Sequence, residues 1–385
     1  MRAEAYLRNF LKALAAYPAD RPLSKFLPDY FKKHKEMGSG DRRTTSRLLY
    51  TYFRLGKACL QLPPEERLFL AEFLCTTGPN EFLAHFKPEL VQNIAWPLAD
   101  KITWLEKEFA FALEDVFPFS KHLSKDIDQE DFLQSFFIQP DLFIRIHPGK
   151  EDLVKAKLNA ESVAYRELSA QTLSFANGTK LNQLLDEGLY EVQDYSSQQT
   201  AAWFQPAKWE YWWDACAASG GKSILLHQLE PSVKLLVSDI RESVLNNLEE
   251  RFKSNQIRSY QSKVIDLLQN PDPILHHFEF DGIILDAPCT GSGTWGRTPE
   301  MISQFSEMRI AEFRTLQQNI AKNVVKYLKP GKPLIYITCS VFKEENEEMV
   351  HYLTHELKLQ LEQIEVLKGF THKADSMFVA RLLKK

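Results

Sequence analysis

The stretch EYWWDACAASGGKSILLHQL, residues 210–229, decides how the chain reads. Its first part, EYWWDA, is an apolar run of strand length ending in a polar residue. The chain then turns through Asp214-Ala215-Cys216-Ala217-Ala218-Ser219-Gly220-Gly221-Lys222 and continues as a helical segment, SILLHQL. Glycines at a strand-to-helix turn let a ligand come close to the backbone, and the N-terminus of the following helix favours a negative group. The dinucleotide fingerprint G-x-G-x-x-G is absent.

Working outward, KLLVSD, FDGIILDAP and PLIYITCS are further apolar runs that end in polar or turn residues. Helical stretches separate them, notably SVLNNLEERFKS and MRIAEFRTLQQNIAKNVVKYL. Strand–helix alternation from about residue 206 onward predicts an α/β domain, a mostly parallel Rossmann-like sheet with helices on both faces. Ligands of such sheets sit at the carboxyl ends of the strands, and the motifs lie at those ends.

The loop from Cys216 through Ala217, Ala218, Ser219, Gly220 and Gly221 to Lys222 could hold the carboxylate of S-adenosylmethionine. A plain tight turn accounts for the two glycines equally well. Asp239 closes KLLVSD 19 residues past Gly220, a spacing suited to accepting hydrogen bonds from ribose hydroxyls. Its alternative role is to cap the helix that follows. Asp266, in SKVIDLL, is expected to end a third strand and approach the adenine.

Two cysteines stand just beyond strand ends. One is in Asp286-Ala287-Pro288-Cys289-Thr290-Gly291-Ser292-Gly293. The other is in Thr338-Cys339-Ser340, followed by Lys343-Glu344-Glu345-Asn346-Glu347. A lone core cysteine is more often inert packing. Two in turns at strand ends would face one crevice if their strands are neighbours. Cytosine carbon-5 chemistry needs such a pair. A thiolate adding to carbon-6 makes carbon-5 nucleophilic. A base must later remove the carbon-5 proton, and a carboxyl group such as Asp286 can assist at ring nitrogen-3.

The rest of the chain reads differently. Residues 1–125 look all-helical, with apolar residues at three- and four-residue spacing in TTSRLLYTYFRLGKACLQL and PEERLFLAEFLCTT. Leu7, Phe10, Leu11 and Leu14 fall on one face of an N-terminal amphipathic helix. Residues 126–200 suggest a small α/β subdomain of RNA-recognition-like type: a strand in DLFIRIH, a helix in PGKEDLVKAKLNAE and extended chain in VAYRELSAQTLSFA. The third domain is then 201–385.

Net charge is −4, but residues 1–60 hold thirteen Lys/Arg and five Asp/Glu, a net +8 that leaves −12 on the remainder. Phosphate contacts would be concentrated at that end. For the charge run alone, a solvated helical face is the better account. Five cysteines with no CxxC spacing exclude a disulfide framework and a cysteine zinc site, and no metal is expected. Arg8 and Lys12 interrupt any signal-peptide core, and no apolar run is long enough to span a bilayer. A cytoplasmic monomer without membrane partners is the expectation.

Together, DACAASGGK, DAPCTGSG, YITCS and EEN resemble the Sun (RsmB-type) family of RNA cytosine carbon-5 methyltransferases. The likeness runs over about 190–385 and includes Val192-Gln193-Asp194-Tyr195-Ser196-Ser197-Gln198. It implies that Cys339 is the nucleophile, that Cys289 assists product release, and that Asp286 touches the cytosine ring. It also implies S-adenosylmethionine held by the Cys216–Lys222 loop with Asp239, Asp266 and Asp286. The segment SGDRRTTSRLLYTYFRLGK is similar to the NusB-like helical RNA-binding domain of some members. The implied substrate is RNA, ribosomal RNA of the small subunit first, with transfer RNA the alternative.

Two departures stand out. Ser219 occupies a position where the family usually has proline, which implies a less rigid loop. Asp375-Ser376-Met377-Phe378-Val379-Ala380 replaces the usual Asp-Gly-Phe-Phe pattern in what should be a final antiparallel strand. A DNA cytosine methyltransferase would use the Pro-Cys cysteine and lack the Thr-Cys-Ser site. An amino-group methyltransferase would show an Asn/Asp-Pro-Pro-aromatic turn. A non-catalytic RNA-binding assembly factor with a degenerate fold is the remaining alternative, against which the intact cysteines and loop argue.

Overall fold

The structure, a computed structural model, describes residues 2–385. The chain forms two compact units. Among the described residues, one comprises 2–123, 128–139 and 294–307; the other comprises 124–127, 140–293 and 308–385. No helix among the described residues is long and apolar enough to cross a membrane.

The first unit is helical. Its main helices are Arg2–Ala16, Leu23–Lys33, Ser39–Phe53, Pro64–Cys75 and Leu98–Glu108. Several of its basic side chains are occupied internally. Arg54 is buried and donates to the Phe136 and Ile138 carbonyls, and Arg67 donates to the carbonyls of Gly56 and Ala58. Buried Lys101 satisfies the Phe73 and Thr76 carbonyls at the end of the Pro64–Cys75 helix, where no in-helix donor remains. Segment 294–307, read from sequence as part of the 201–385 domain, clusters with these helices. Trp295 packs against Phe117, Phe119 and Phe305, and Glu300 accepts the Leu23 backbone N–H.

The second unit contains two sheets. The smaller has β1 Leu142–Ile146, β2 Arg166–Ser169, β3 Thr172–Phe175 and β4 Tyr190–Val192. Their spatial order is β2-β3-β1-β4, and all neighbours are antiparallel. Helix Glu151–Ala160 joins β1 to β2, and only a short 3-10 turn, Leu181–Gln183, lies between β3 and β4. Ile144, Ile146, Val154, Leu158, Leu173 and Phe175 form its core.

The larger sheet has β5 Tyr211–Asp214, β6 Lys234–Asp239, β7 Tyr260–Val264, β8 Gly282–Asp286, β9 Pro333–Thr338, β10 Gln360–Leu367 and β11 Met377–Leu383. The order is β10-β11-β9-β8-β5-β6-β7. β5 to β9 pair in parallel; β11 runs antiparallel to β9, and β10 antiparallel to β11. The expected last antiparallel strand is therefore present, with an edge strand, β10, that the sequence reading did not separate. Strand order reverses between β5 and β8, so the crevice outside their carboxyl ends is the switch point where such folds bind ligands.

Packing fixes one glycine in the middle of the sheet. Gly282 pairs with Trp212, and a Cβ there would lie 2.4 to 2.5 Å from the buried indole ring. Gly282→Ala should therefore lower unfolding free energy by about 2–3 kcal/mol through overpacking. Denaturant titration of the variant checks this, and an unchanged midpoint would mean that the Trp212 ring can move aside.

Candidate functional site

The turn after β5 is built by backbone geometry. Ala218 and Gly220 both take positive φ, 45° and 81°. A Cβ on Gly220 would meet Phe252 and Leu248 of helix Glu242–Ser254 at 2.8 and 2.9 Å, so only glycine fits there without a shift. Helix Gly221–Leu229 starts at once. The Ala217 N–H donates to the Ser238 carbonyl and the Ala218 N–H to Asp239 Oδ2 (3.2 Å), tying the turn to the end of β6. Ser219 is not loose: Arg251 donates to both its carbonyl (2.7 Å) and its hydroxyl (2.9 Å). The same guanidinium holds Glu191 of β4 at 2.5 Å. Burial would raise the Glu191 carboxyl, but the His147 ring 3.6 Å away and hydrogen bonds from Arg251 and Asn255 prevail and pull it down to about 2.

Lys222, on the first turn of that helix, is buried and donates to Ser197 Oγ (2.8 Å) and Asp286 Oδ2 (3.1 Å). Ser197 also accepts from Gln193, whose own amide oxygen takes Arg145 of β1. The VQDYSSQ segment thus connects the small sheet to the end of β8. Asp239 accepts from the Arg241 backbone and guanidinium as well as from Ala218.

A cavity of about 700 Å³ opens at these strand ends. Seven of the residues singled out from sequence line it: Cys216, Ala218, Asp239, Asp266, Asp286, Cys289 and Cys339. Ala217, Ser219, Gly220, Gly221 and Lys222 do not; they shape and anchor the turn behind it. Sequence reading missed part of the wall, including Arg241, Leu267 and Leu268, together with Leu316 and Ile320 from helix Met308–Val324. The result is a chamber with apolar sides and carboxylates at the ends of β6, β7 and β8.

At one wall the sulfurs of Cys289 and Cys339 lie 3.3 Å apart. The hydrogen bond with Cys339 and burial both push the Cys289 thiol well above its ordinary value. Burial, with nearby carboxylates, also raises Cys216, which marks it as an unreactive thiol. The turns carrying the pair are stitched together. Gly293 N–H donates to the Cys339 carbonyl, and the Ser376 N–H donates to the Gly293 carbonyl. A Cβ on Gly293 would lie 2.1 Å from the Ser376 carbonyl oxygen. Ser376 is itself buried, and Met377 following it begins β11 in regular register.

Glu345 and Asn346, quoted in the sequence without a role, are fully buried beneath these turns. Asn346 accepts from Thr338 Oγ1 (2.6 Å) and donates to the Ser340 carbonyl and to Ser124 Oγ. No local signal marked Gln317 or Ser124, since their partners are far away in sequence.

Asp214 is buried at the root of the site. Its Oδ2 accepts from Ser223 (2.6 Å) while Oδ1 has no partner. Burial raises its carboxyl to about 7. A carboxyl raised on folding contributes most below its unfolded value of about 4 and loses that contribution as pH rises through the folded value. The stability of Asp214→Asn relative to wild type should therefore increase from pH 4 to about pH 7 and then level off. Denaturant unfolding across that range measures it; a pH-independent difference would show that the buried carboxyl is compensated elsewhere.

Comparison with known proteins agrees with this architecture. Residues 201–383 match the family model described as 16S rRNA methyltransferase RsmB/F. The chain is 31% identical over 274 residues to ribosomal RNA small subunit methyltransferase B of Shewanella oneidensis, covering 66% of this chain and 63% of that protein. The chain covers less than two thirds of the length of the curated relatives it matches first. Among solved structures, PH0851 aligns over 99% of this chain and 98% of its own, with a TM-score of 0.69 and 21% identity. NSun6 from Pyrococcus horikoshii, solved with SFG, aligns over 69% of this chain and 97% of its own, with a TM-score of 0.61 and 18% identity. By its motifs and these likenesses, the chain is similar to the Sun/RsmB methyltransferases, with the family model matching residues 201–383.

Proposed function

We propose that this protein methylates carbon-5 of cytosine in RNA, small-subunit ribosomal RNA in the first instance, with Cys339 as nucleophile. The observation that carries the reading is the Cys289–Cys339 contact of 3.3 Å on the wall of a cavity at the sheet's switch point. The names of the curated relatives support the choice of ribosomal RNA. The helical unit would provide further RNA contacts, and a single cytoplasmic copy of the chain would suffice.

The cavity's donor set fits S-adenosylmethionine. Asp239 closes β6, where ribose hydroxyls need an acceptor, and Asp266 and Leu267 stand beyond β7 for the adenine. The N-terminal turn of the Gly221–Leu229 helix, shaped by Gly220, suits a carboxylate. When bound, the cofactor supplies a methyl group activated on a sulfonium. All other roles fall to the chain itself.

Cys339 adds to carbon-6 of the ring, and the negative charge passes to the ring. Lys222 takes one oxygen of Asp286, Oδ2, and leaves Oδ1 for the substrate. With a proton on Oδ1, Asp286 would donate it to ring nitrogen-3 as Cys339 adds, which neutralises the charge that passes to the ring. Once its own proton has passed to solvent, Cys289 takes the carbon-5 proton as a thiolate, and Cys339 then leaves carbon-6 as a thiolate.

The test uses wild type, Cys339→Ala and Cys289→Ala with labelled S-adenosylmethionine and either small-subunit ribosomal RNA or transfer RNA. We expect Cys339→Ala to lose about a thousandfold or more in transfer and to form no adduct. Cys289→Ala should instead accumulate a covalent protein–RNA species on denaturing gels. An adduct abolished by Cys289→Ala alone would reverse the assignment. Wild type that binds cofactor yet labels neither RNA would favour a non-catalytic role.

A further inference from the structure

Glu345 is fully buried, and its carboxylate collects four hydrogen bonds from three separate segments. Oε1 accepts the Thr290 N–H (2.9 Å) and the Gln317 amide (3.0 Å). Oε2 accepts the Thr290 hydroxyl (2.5 Å) and the Ser340 hydroxyl. Thr290 follows Cys289 and Ser340 follows Cys339. One carboxylate therefore grips the residue after each cysteine. Its own backbone is fixed, because the Tyr336 hydroxyl donates to the Glu345 carbonyl. Gln317 completes the arrangement by also donating to the Pro288 carbonyl, on the other side of Cys289.

A carboxylate has acceptor sites for all four donors, which few other side chains do. Removing it would leave a backbone N–H, two hydroxyls and an amide buried without their common acceptor. Parallel strands alone bring the two turns side by side, but they do not set a sulfur–sulfur distance.

We propose that Glu345 is the positioning residue of the cysteine pair, holding the Cys289 and Cys339 turns so that their sulfurs meet. The inference rests on the reading of these cysteines as a working pair, and adds what keeps them paired. Glu345 touches neither substrate nor cofactor in this account. Its charge has a second effect: it helps to keep the proton on Cys289, together with the Cys339 contact and burial.

The test needs neither RNA nor cofactor, so its outcome is independent of whether the methylation reading stands. Phenylarsine oxide binds tightly only where two thiols are close enough to bridge one arsenic. Each thiol gives up a proton and forms a sulfur–arsenic bond, and the arsenic's oxygen leaves as water. Wild type should bind it, and Cys289→Ser should reduce binding to the single-thiol level. Glu345→Ala should weaken it about tenfold or more, as the turns drift apart. Glu345→Gln keeps the shape and most hydrogen bonds, so it should stay within about threefold of wild type. In a Cys339→Ser background, Glu345→Gln should move the pH midpoint of Cys289 alkylation downward, which a purely structural role would not do. Folded Glu345→Ala that binds the arsenical like wild type would overturn the proposal. If Glu345→Ala does not fold, an unmoved alkylation midpoint in Glu345→Gln would overturn it instead.

Discussion

The site depends on the parallel pairing of β8 with β9. That register places Asp286 opposite Ile337, so Cys289 and Cys339 emerge from neighbouring strand ends into adjoining turns. A slip of one residue would reverse which face each side chain points to and separate the sulfurs. The register is protected by burial: all of β9 and Gly282 to Leu285 of β8 lie in the core. Above the strands, side-chain hydrogen bonds replace the ladder. Ser292 accepts the Val341 N–H, and Asn346 holds Thr338 and the Ser340 carbonyl. The cysteine pair is thus mounted on rigid elements, as a preorganised site would require.

A second set of contacts serves the turn after β5. Arg251 links Ser219 to Glu191, and Lys222 links Ser197 to Asp286. Both links connect the cavity to the region of the small sheet. Motion of that sheet relative to β5 would therefore strain the turn directly. The Arg251 clasp also answers the loss of proline at 219. Proline restricts the unfolded chain, whereas here two hydrogen bonds restrain the folded one.

Much of this was legible in sequence because the signals are local. Apolar runs ending in Asp or Cys gave β5, β6, β8 and β9, and the turn residues after them carry the cavity wall. β10 was not separated because Gln360–Leu367 alternates weakly and is mostly exposed at the sheet edge. Residues 294–307 continue the chain after a strand, so sequence order assigns them to the sheet. Aromatic packing around Trp295 groups them with the helices. Arg251, Gln317 and Ser124 matter through partners 28 to more than 200 residues away. Glu345 stood in a quoted motif, yet its importance lies in where the fold brings Thr290 and Ser340.

The central claim is a division of labour within one cysteine pair, and the most direct measurement is the identity of the bonded sulfur. RNA containing 5-fluorocytidine at the target position cannot lose a proton from carbon-5 after methyl transfer, so it should trap the wild-type enzyme. Peptide mass spectrometry of the trapped species then reads out the attachment site. The account predicts the nucleotide on the peptide containing Cys339, with Cys289 unmodified. Attachment at Cys289 would contradict it and assign the nucleophile to the other strand end.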